Sequence, residues 1–162
     1  LLLGIAKEDL IATLKSFTGI EHRLENFATI EGVTYINDSK ATNPAAAIKG
    51  LQSFSDSVIL IAGGMDKNSD FADFASEIPQ RVKSLLLLGE TAPEIEAEVK
   101  ELNYNNFLHV DSIAEAAEKA YTLAEEGDVV LLSPACASWD MFSSYKERGN
   151  LFKAAVDDLR WK

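Results

Sequence analysis

Basic residues and cysteine are scarce in this 162-residue sequence. Lysine and arginine number 15 against 26 aspartate and glutamate residues, which gives a formal net charge of −11. This imbalance argues against a broad surface for nucleic acid phosphates or for an anionic membrane. The one cysteine, Cys136, excludes an internal disulfide and fits a reducing compartment, so we expect a cytoplasmic protein. No apolar run approaches the roughly 20 residues that span a bilayer, and we expect no membrane segment.

Several motifs of known chemistry are also absent. The chain has no G-x-x-x-x-G-K-[ST] phosphate loop, so we do not expect it to bind a nucleoside triphosphate by itself. It has no G-x-S-x-G nucleophile elbow. The two histidines, His22 and His109, are isolated in the sequence, so no known ligand spacing supports a metal site. We interpret His109 and Cys136 as structural residues rather than as a metal ligand and a nucleophile.

What the sequence does contain is an alternation of strand-like and helix-like segments. β-Rich runs at 27–30 and 33–36 flank Glu31-Gly32, which is the signal of a hairpin. Further strands are predicted at 58–62, 84–88, 107–110 and 129–132. Helices between and after them include 71–78 ended by Pro79, a helix capped by Asp111-Ser112 that continues to Glu126, and 139–159. This order predicts an α/β fold: a three-layer, Rossmann-like domain with a mostly parallel sheet and one antiparallel strand from the N-terminal hairpin.

The first twenty residues differ from the rest of the chain. Residues 6–17 have helical spacing with apolar side chains on one side, and an irregular segment follows. The sequence has no initiating Met and begins within what resembles the end of a helix. We therefore predict that residues 1–20 are the tail of a preceding domain and that residues 21–162 form the α/β domain.

Polar side chains collect where the predicted strands end. Residues 37–43, 63–70 and 133–138 follow three strands, and ligands of open α/β sheets bind at the carboxyl ends of the strands. Lys40 and Lys67 lie in two of these loops, so an acidic chain places cations at one sheet edge, which favours an anion site. A structural interpretation stays open for the same residues, in which the loops are turns and helix caps and the lysines are solvated.

Five motifs in a fixed order give the sequence a more specific resemblance. They are GIEHRLE at 19–25, NDSKATN at 37–43, GGMDK at 63–67, SPACASWDMF at 133–142 and ERGNLF at 147–152. Together they resemble the C-terminal domain of the Mur ligases, in the branch that adds D-glutamate. The Asn-Pro-Arg motif of the branch that adds diaminopimelate or lysine is absent.

The resemblance implies an ATP-dependent amide ligase of peptidoglycan synthesis. In that family ATP phosphorylates the alanyl carboxylate of UDP-N-acetylmuramoyl-L-alanine, and the amine of D-glutamate attacks the acyl phosphate. The UDP-sugar belongs to an N-terminal domain, and the phosphate loop and Mg²⁺ ligands belong mainly to a central ATPase domain, whose tail would be residues 1–20. We expect this chain alone to be inactive and monomeric, with D-glutamate and ATP as its small-molecule partners and no metal site of its own.

The resemblance also assigns residues by motif. The D-glutamate pocket comprises Thr42, Lys67, Ser138, Trp139 and Tyr145. The ATP side of the cleft comprises His22, Arg23, Asp38 and Lys40, with Asp38 and Lys40 as catalytic residues. We expect Lys67 to bind one carboxylate of D-glutamate and Ser138 with Thr42 to bind the other, through charge-assisted hydrogen bonds.

Two alternative functions remain at this point. One is a folylpolyglutamate-type ligase domain, which belongs to the same superfamily and adds L-glutamate to folates. The other is a stand-alone nucleotide- or anion-binding module without catalysis, which the cationic strand-end loops would also fit.

Overall fold

Helices and strands alternate along most of the chain. The computed structural model describes residues 4–17, 19–55, 57–65 and 67–161. In chain order the elements are α1 (Lys7–Ser16), β1 (Glu25–Ile30), β2 (Val33–Asn37), α2 (Pro44–Leu51), β3 (Val58–Ala62), α3 (Ala72–Arg81), β4 (Val82–Leu87), α4 (Ala92–Glu101), β5 (Phe107–His109), α5 (Ile113–Leu123), β6 (Val129–Leu132) and α6 (Tyr145–Leu159).

The six strands form one sheet in the order β1-β2-β6-β3-β4-β5. β1 pairs with β2 in antiparallel fashion, and every other pair is parallel. Glu31 and Gly32, with φ of 50° and 79°, form the two-residue hairpin loop, and this left-handed geometry matches the twist of the paired strands. The predicted mostly parallel sheet with an N-terminal hairpin is therefore confirmed.

Helices cover both faces of this sheet, which makes three layers. Along β3 the side chains alternate: Leu60 packs in the core under α2, α3 and α4, whereas Ile59 and Ile61 pack under α5 and α6. Every residue of β3 is buried, as expected for a central parallel strand whose two faces are both covered. The three-layer α/β prediction is confirmed.

The last helix is shorter than the sequence pattern indicates. We predicted it from residue 139, but α6 begins at Tyr145 because a capping box precedes it. The Ser144 hydroxyl accepts from the Glu147 N–H at 3.2 Å, and the Glu147 carboxylate accepts from the Ser143 N–H at 2.6 Å. Residues 139–144 are consequently a loop, and Trp139 of this loop lies at the edge of the sheet.

Two other predicted helix ends were wrong. α3 continues through Pro79 to Arg81: the proline gives up one helical hydrogen bond, but the Val82 N–H still reaches the Ile78 carbonyl and closes the last turn. α5 ends at Leu123 rather than at residue 126. There the Asp128 carboxylate accepts from the Glu125 N–H at 2.9 Å and holds a turn instead.

The first helix makes no contribution to the core. None of the residues of α1 is buried, and Leu14 and Phe17 are 67% and 65% exposed. The assignment of residues 1–20 to a preceding domain stays a prediction, and residues 1–3 and 18 of that segment lie outside the described residues. No helix in the described part of the chain combines the length and the hydropathy that crossing a membrane requires.

Candidate ligand-binding site at the carboxyl edge of the sheet

Three loops meet at one edge of the sheet, because β2, β6 and β3 are neighbours that run in the same direction. Backbone hydrogen bonds join the loops directly. The Asp38 N–H donates to the Leu132 carbonyl at 2.8 Å, and the Gly63 N–H donates to the Pro134 carbonyl at 2.8 Å. Side chains from three distant sequence segments thus face a common space.

A small cavity of about 110 Å³ opens between these loops. Its lining residues are Thr42, Lys67, Ala137, Ser138, Trp139 and Tyr145. The structure therefore brings together all five residues that the motifs assign to the D-glutamate pocket. Their role in binding that amino acid stays a prediction.

Aromatic rings hold the two lysines of this edge. The Lys67 ammonium lies 4.4 Å from the centroid of the Trp139 ring, and the Lys40 ammonium lies 5.5 Å from that of Tyr145. A cation over an aromatic face is attracted by the ring quadrupole. The rings therefore keep two positive charges beside the small cavity, where an anionic ligand would meet them.

A second cavity, of about 250 Å³, lies on the α2 side of Lys40. It is lined by Arg23, Leu24, Asp38, Lys40, Ala41, Ala46, Lys49 and Gly50. Arg23, Asp38 and Lys40, which the motifs assign to the ATP side, thus share one cleft. Lys40 lines this cleft and also contacts Tyr145 of the small cavity, so the two spaces adjoin. Sequence reasoning did not single out Lys49, a third cation of this cleft.

Asp38 is a fixed, nearly buried carboxylate in the wall of the larger cleft. One oxygen accepts from the Ser133 hydroxyl at 2.9 Å, and the other accepts from the Leu24 N–H at 3.2 Å. Burial raises the pKa of Asp38, and the hydrogen bond from Ser133 opposes that shift. Gly50 allows helix α2 to approach, since a Cβ there would lie 2.6 Å from the carboxylate.

His22 points into the protein rather than into the cleft. It is 2% exposed, and the Asn37 side-chain amide lies 2.9 Å from its Nδ1, which accepts the hydrogen bond. Burial lowers the pKa of His22, so the ring is neutral. His22 and Leu24 both have left-handed backbones, with φ of 65° and 43°, and this costly geometry turns the Arg23 side chain between them towards the cleft.

Close backbone packing fixes the loop that carries Lys67. Gly64 has a φ of +148°, and a Cβ at this residue would lie 2.3 Å from the Ala137 carbonyl oxygen. The next residue, Met65, donates its N–H to the same carbonyl at 3.0 Å. The backbone two residues before Lys67 is therefore held against the loop that follows β6. Asp66, also part of the motif, lies outside the described residues.

Arg148 is a second residue, besides Lys49, that sequence reasoning did not single out. It is 1% exposed, and its guanidinium binds Ser39 after β2 and the carbonyls of Cys136 and Ala137 after β6. The only signal was the ERGNLF motif, which we used for the resemblance and not for chemistry. An arginine on an apparently solvated helix turn gives no indication that it is buried.

The residues that we interpreted as structural line neither cavity. Cys136 is 3% exposed, and its Sγ is 3.1 Å from the Thr91 hydroxyl. His109 lies outside both cavities and pairs with Glu96 through its Nε2 at 2.6 Å. Neither arrangement contains a nucleophile with an adjacent general base.

One group among the described residues has the composition of a metal site: Glu21, His22 and Glu25. Lys153 lies 2.9 Å from the Glu21 carboxylate and 3.0 Å from that of Glu25, so one ammonium already pairs with both acids. The Nδ1 of His22 is used by Asn37. These residues do not suit Mg²⁺, because the third ligand is an imidazole nitrogen and both carboxylates are already paired with Lys153.

The comparisons with known proteins define the class of this domain. The family described as "Mur ligase, glutamate ligase domain" matches residues 22–136, and the chain belongs to that family. Among curated proteins, the UDP-N-acetylmuramoylalanine--D-glutamate ligase of Caldanaerobacter subterraneus subsp. tengcongensis is 49% identical over 161 residues, which cover 98% of this chain and 36% of the relative. The chain thus spans about a third of the length of the curated relatives it matches. The predicted resemblance is confirmed.

Solved structures share the fold at lower identity. A UDP-N-acetylmuramate-alanine ligase from Thermotoga maritima aligns with a TM-score of 0.69 and 17% identity, over 98% of this chain and 35% of that one. A bifunctional folylpolyglutamate synthase/dihydrofolate synthase from Yersinia pestis aligns with a TM-score of 0.63 and 18% identity, over 93% of this chain and 34% of that one. These similarities concern the fold alone.

Proposed function

We propose that this chain is the D-glutamate-binding domain of an ATP-dependent ligase that adds D-glutamate to UDP-N-acetylmuramoyl-L-alanine. The complete enzyme includes upstream domains that hold the UDP-sugar and most of the ATP. The isolated domain binds and orients the amino acid, and it does not catalyse the reaction alone. The proposed step belongs to peptidoglycan synthesis in the cytoplasm, with a monomeric enzyme.

The cavity of about 110 Å³ carries this proposal. D-Glutamate is a small dicarboxylate, and its recognition requires two groups of anion-binding donors. Lys67 provides a cation on one side of the cavity, and Thr42 and Ser138 provide hydroxyl groups. Trp139 and Tyr145 enclose the aliphatic part of the amino acid and hold the lysines in place. We assign the D-enantiomer because curated relatives that are about 49% identical in sequence are named as D-glutamate ligases.

The adjoining cleft supports a division of work between the two cavities. Arg23 and Lys40 line the larger cleft, where they neutralise phosphoryl charge of ATP or of the acyl phosphate. Asp38 is fixed by two hydrogen bonds and orients a ribose hydroxyl or the reacting amine. Lys40 connects the two spaces, since it lines the cleft and contacts Tyr145. The amine of D-glutamate would thus be held next to the activated carboxylate.

The reaction needs little chemistry from this domain beyond positioning. A carboxylate oxygen of the UDP-sugar substrate attacks the γ-phosphorus of ATP, and ADP leaves. The amine nitrogen of D-glutamate then attacks the acyl carbon, loses a proton, and phosphate departs from the tetrahedral intermediate. Holding the amine in a near-attack geometry is a large part of such catalysis. Mg²⁺, which neutralises ATP phosphates in this chemistry, would be held by the upstream domains.

Phosphate release tests the proposal directly. In a chain restored to the length of its relatives, ATP hydrolysis with UDP-N-acetylmuramoyl-L-alanine should depend on D-glutamate. Activity with L-glutamate and a folate acceptor instead would support the folylpolyglutamate alternative. Absence of phosphate release with either substrate set would refute both ligase assignments.

Calorimetry on the 162-residue chain tests the binding-module alternative. We expect weak or absent nucleotide binding, because this chain carries only half of the nucleotide site. The complete site forms only when the domain closes against its partner domain. Micromolar nucleotide binding by this chain alone would favour the module without catalysis.

A further inference from the structure

Arg148 is a buried cation with no carboxylate among its hydrogen-bond acceptors. Its Nε donates to the Ser39 hydroxyl at 3.0 Å, and its Nη2 donates to the Ser39 carbonyl at 2.9 Å. Both Nη atoms reach the Cys136 carbonyl at 3.2 Å, and Nη1 reaches the Ala137 carbonyl at 3.3 Å. All of these acceptors are neutral. The positive charge is therefore solvated by dipoles, and the Asp140 carboxylate acts on it through space without being one of its hydrogen-bond acceptors.

Burial of such a charge is costly, and the chain tolerates it beside the small cavity. Burial lowers the pKa of Arg148 to about 10, so the guanidinium stays charged at neutral pH. Ala137, whose carbonyl it binds, lines the cavity together with Ser138. A buried cation in a poorly hydrated position interacts with a nearby anion more strongly than a solvated surface lysine does.

The same guanidinium determines the spacing of two site loops. Ser39 precedes Lys40 in the loop after β2, and Ala137 precedes Ser138 in the loop after β6. Ser39 also donates its hydroxyl to the Tyr145 carbonyl at 2.8 Å, which ties in the first turn of α6. The planar fork of an arginine binds both loops at once, which a lysine ammonium cannot reproduce.

The contact with Ala137 also orients a donor. In a trans peptide the N–H points opposite to the C=O. Because Arg148 binds the Ala137 carbonyl, the N–H of Ser138 is directed away from the guanidinium. Ser138 lines the cavity, so the orientation of this peptide determines which hydrogen-bond donors of Ser138 an anion in the cavity could reach.

We propose that Arg148 is the positioning residue of the D-glutamate cavity, which holds the Ser39 and Ala137 segments at a fixed spacing and places a positive charge behind the carboxylate-binding wall. This inference rests on the proposed function. Arg148 does not touch the substrate; it acts through Ser39, Ala137 and Ser138. Arg148 reaches the ATP cleft only through Ser39, whose neighbours Asp38 and Lys40 line it, whereas its acceptor Ala137 lines the small cavity directly.

The test is the Arg148→Lys substitution in the chain restored to its relatives' length. Lysine keeps the charge but loses the fork, so the KM for D-glutamate should rise at least about 10-fold. The KM for ATP should change less than about 3-fold, because its cleft keeps all of its lining residues. Arg160→Lys is the matched control: it is the same substitution just beyond the end of α6, at an exposed arginine paired with Asp157, and it should change neither value.

A purely structural role gives a different pattern. If kcat falls and both KM values move together, or if the KM for D-glutamate is unchanged, the proposal is wrong. If Arg148→Lys does not fold, as judged by thermal unfolding, Ser39→Ala decides. That variant removes the acceptor of Nε and the hydroxyl donor to the Tyr145 carbonyl but keeps the contact with the Ser39 carbonyl, so the KM for D-glutamate should rise about 3- to 10-fold, and no rise would overturn the proposal. A wild-type enzyme without D-glutamate dependence would refute the proposed function instead, before any variant is compared.

Discussion

Removal of the Lys67 ammonium is the substitution that most directly probes the small cavity. Lys67→Met keeps an apolar stem of similar length against the Trp139 ring, from whose centroid the ammonium lies 4.4 Å away. It deletes only the charge and its hydrogen-bond donors. Since Lys67 is exposed and attached to a loop held by close backbone packing, the substitution should leave the fold intact.

The expected magnitude follows from one lost charge-assisted hydrogen bond. Such bonds contribute about 1.5–3 kcal/mol, and the exposure of Lys67 favours the lower part of that range. A loss of about 1.5–2 kcal/mol corresponds to a rise of about 10- to 30-fold in the KM for D-glutamate. The proposed contact would be made in both the ground state and the transition state, so kcat should change much less.

Steady-state kinetics on the restored-length enzyme, with D-glutamate varied at saturating ATP and UDP-sugar, measures this effect. Lys100→Met is the matched control, because the Lys100 ammonium also lies over an aromatic ring, 5.3 Å from the centroid of Phe107. Phe107 belongs to the edge strand β5, so this pair is separate from the cavity. The control should leave the KM unchanged. A change of less than about 2-fold in the Lys67 variant would refute the carboxylate contact.

The remaining predictions concern stability. The Tyr35 hydroxyl is buried without a hydrogen-bond partner among the described residues, and burial raises its pKa to about 12; Tyr35→Phe should raise the free energy of unfolding by up to about 1 kcal/mol in urea titrations, and a loss of that size would contradict this. Gly64→Ala should destabilise by about 1–3 kcal/mol more than Gly127→Ala, which shares a positive φ but meets nothing within 4 Å; equal losses would show that the contact with Ala137 is not limiting. The pKa of His22 is lowered from 6.5, so the unfolded chain binds the proton first and the melting temperature should fall as the pH drops below that value; His22→Asn should flatten this dependence between about pH 7.5 and 5.5, and an unchanged slope would exclude His22 as its source.

Sequence periodicity predicted the sheet well because each central strand is a continuous apolar run. β3 and β6 are buried in the middle of the sheet, and both ends of these strands were predicted correctly. Helix ends were harder, since local hydrogen bonds decide them. The capping box at Ser144 and Glu147 stops an apolar pattern from extending α6 backwards, and apolar spacing alone does not reveal that.

The site could be predicted as a set of motifs but not as a geometry. The strand-end rule placed Lys40, Lys67 and Ser138 at one edge because parallel neighbours share a direction. The rule says nothing about which cations meet aromatic rings, which depends on the course of the loops. Arg148 was missed for the same reason: its partners lie at least eleven residues away in sequence and converge only in the folded chain.

The resemblance also grouped residues that the structure separates. His22 and Arg23 are adjacent in the motif, but the left-handed backbone at His22 sends one side chain inwards and leaves the other at the cleft. A role for His22 at the nucleotide is therefore indirect at most, through the segment that carries Arg23. Residue types alone do not show that neighbouring side chains of a strained turn point in different directions, since histidine adopts a positive φ only in particular contexts.

The identity of the product tests the central claim most directly. The restored-length enzyme should be incubated with ATP, UDP-N-acetylmuramoyl-L-alanine and D-glutamate, and the products analysed by mass spectrometry. The account predicts one new amide, the D-glutamyl adduct of the UDP-sugar, formed together with ADP and phosphate and not formed with L-glutamate. A glutamylated folate, or consumption of ATP without any amide product, would contradict it.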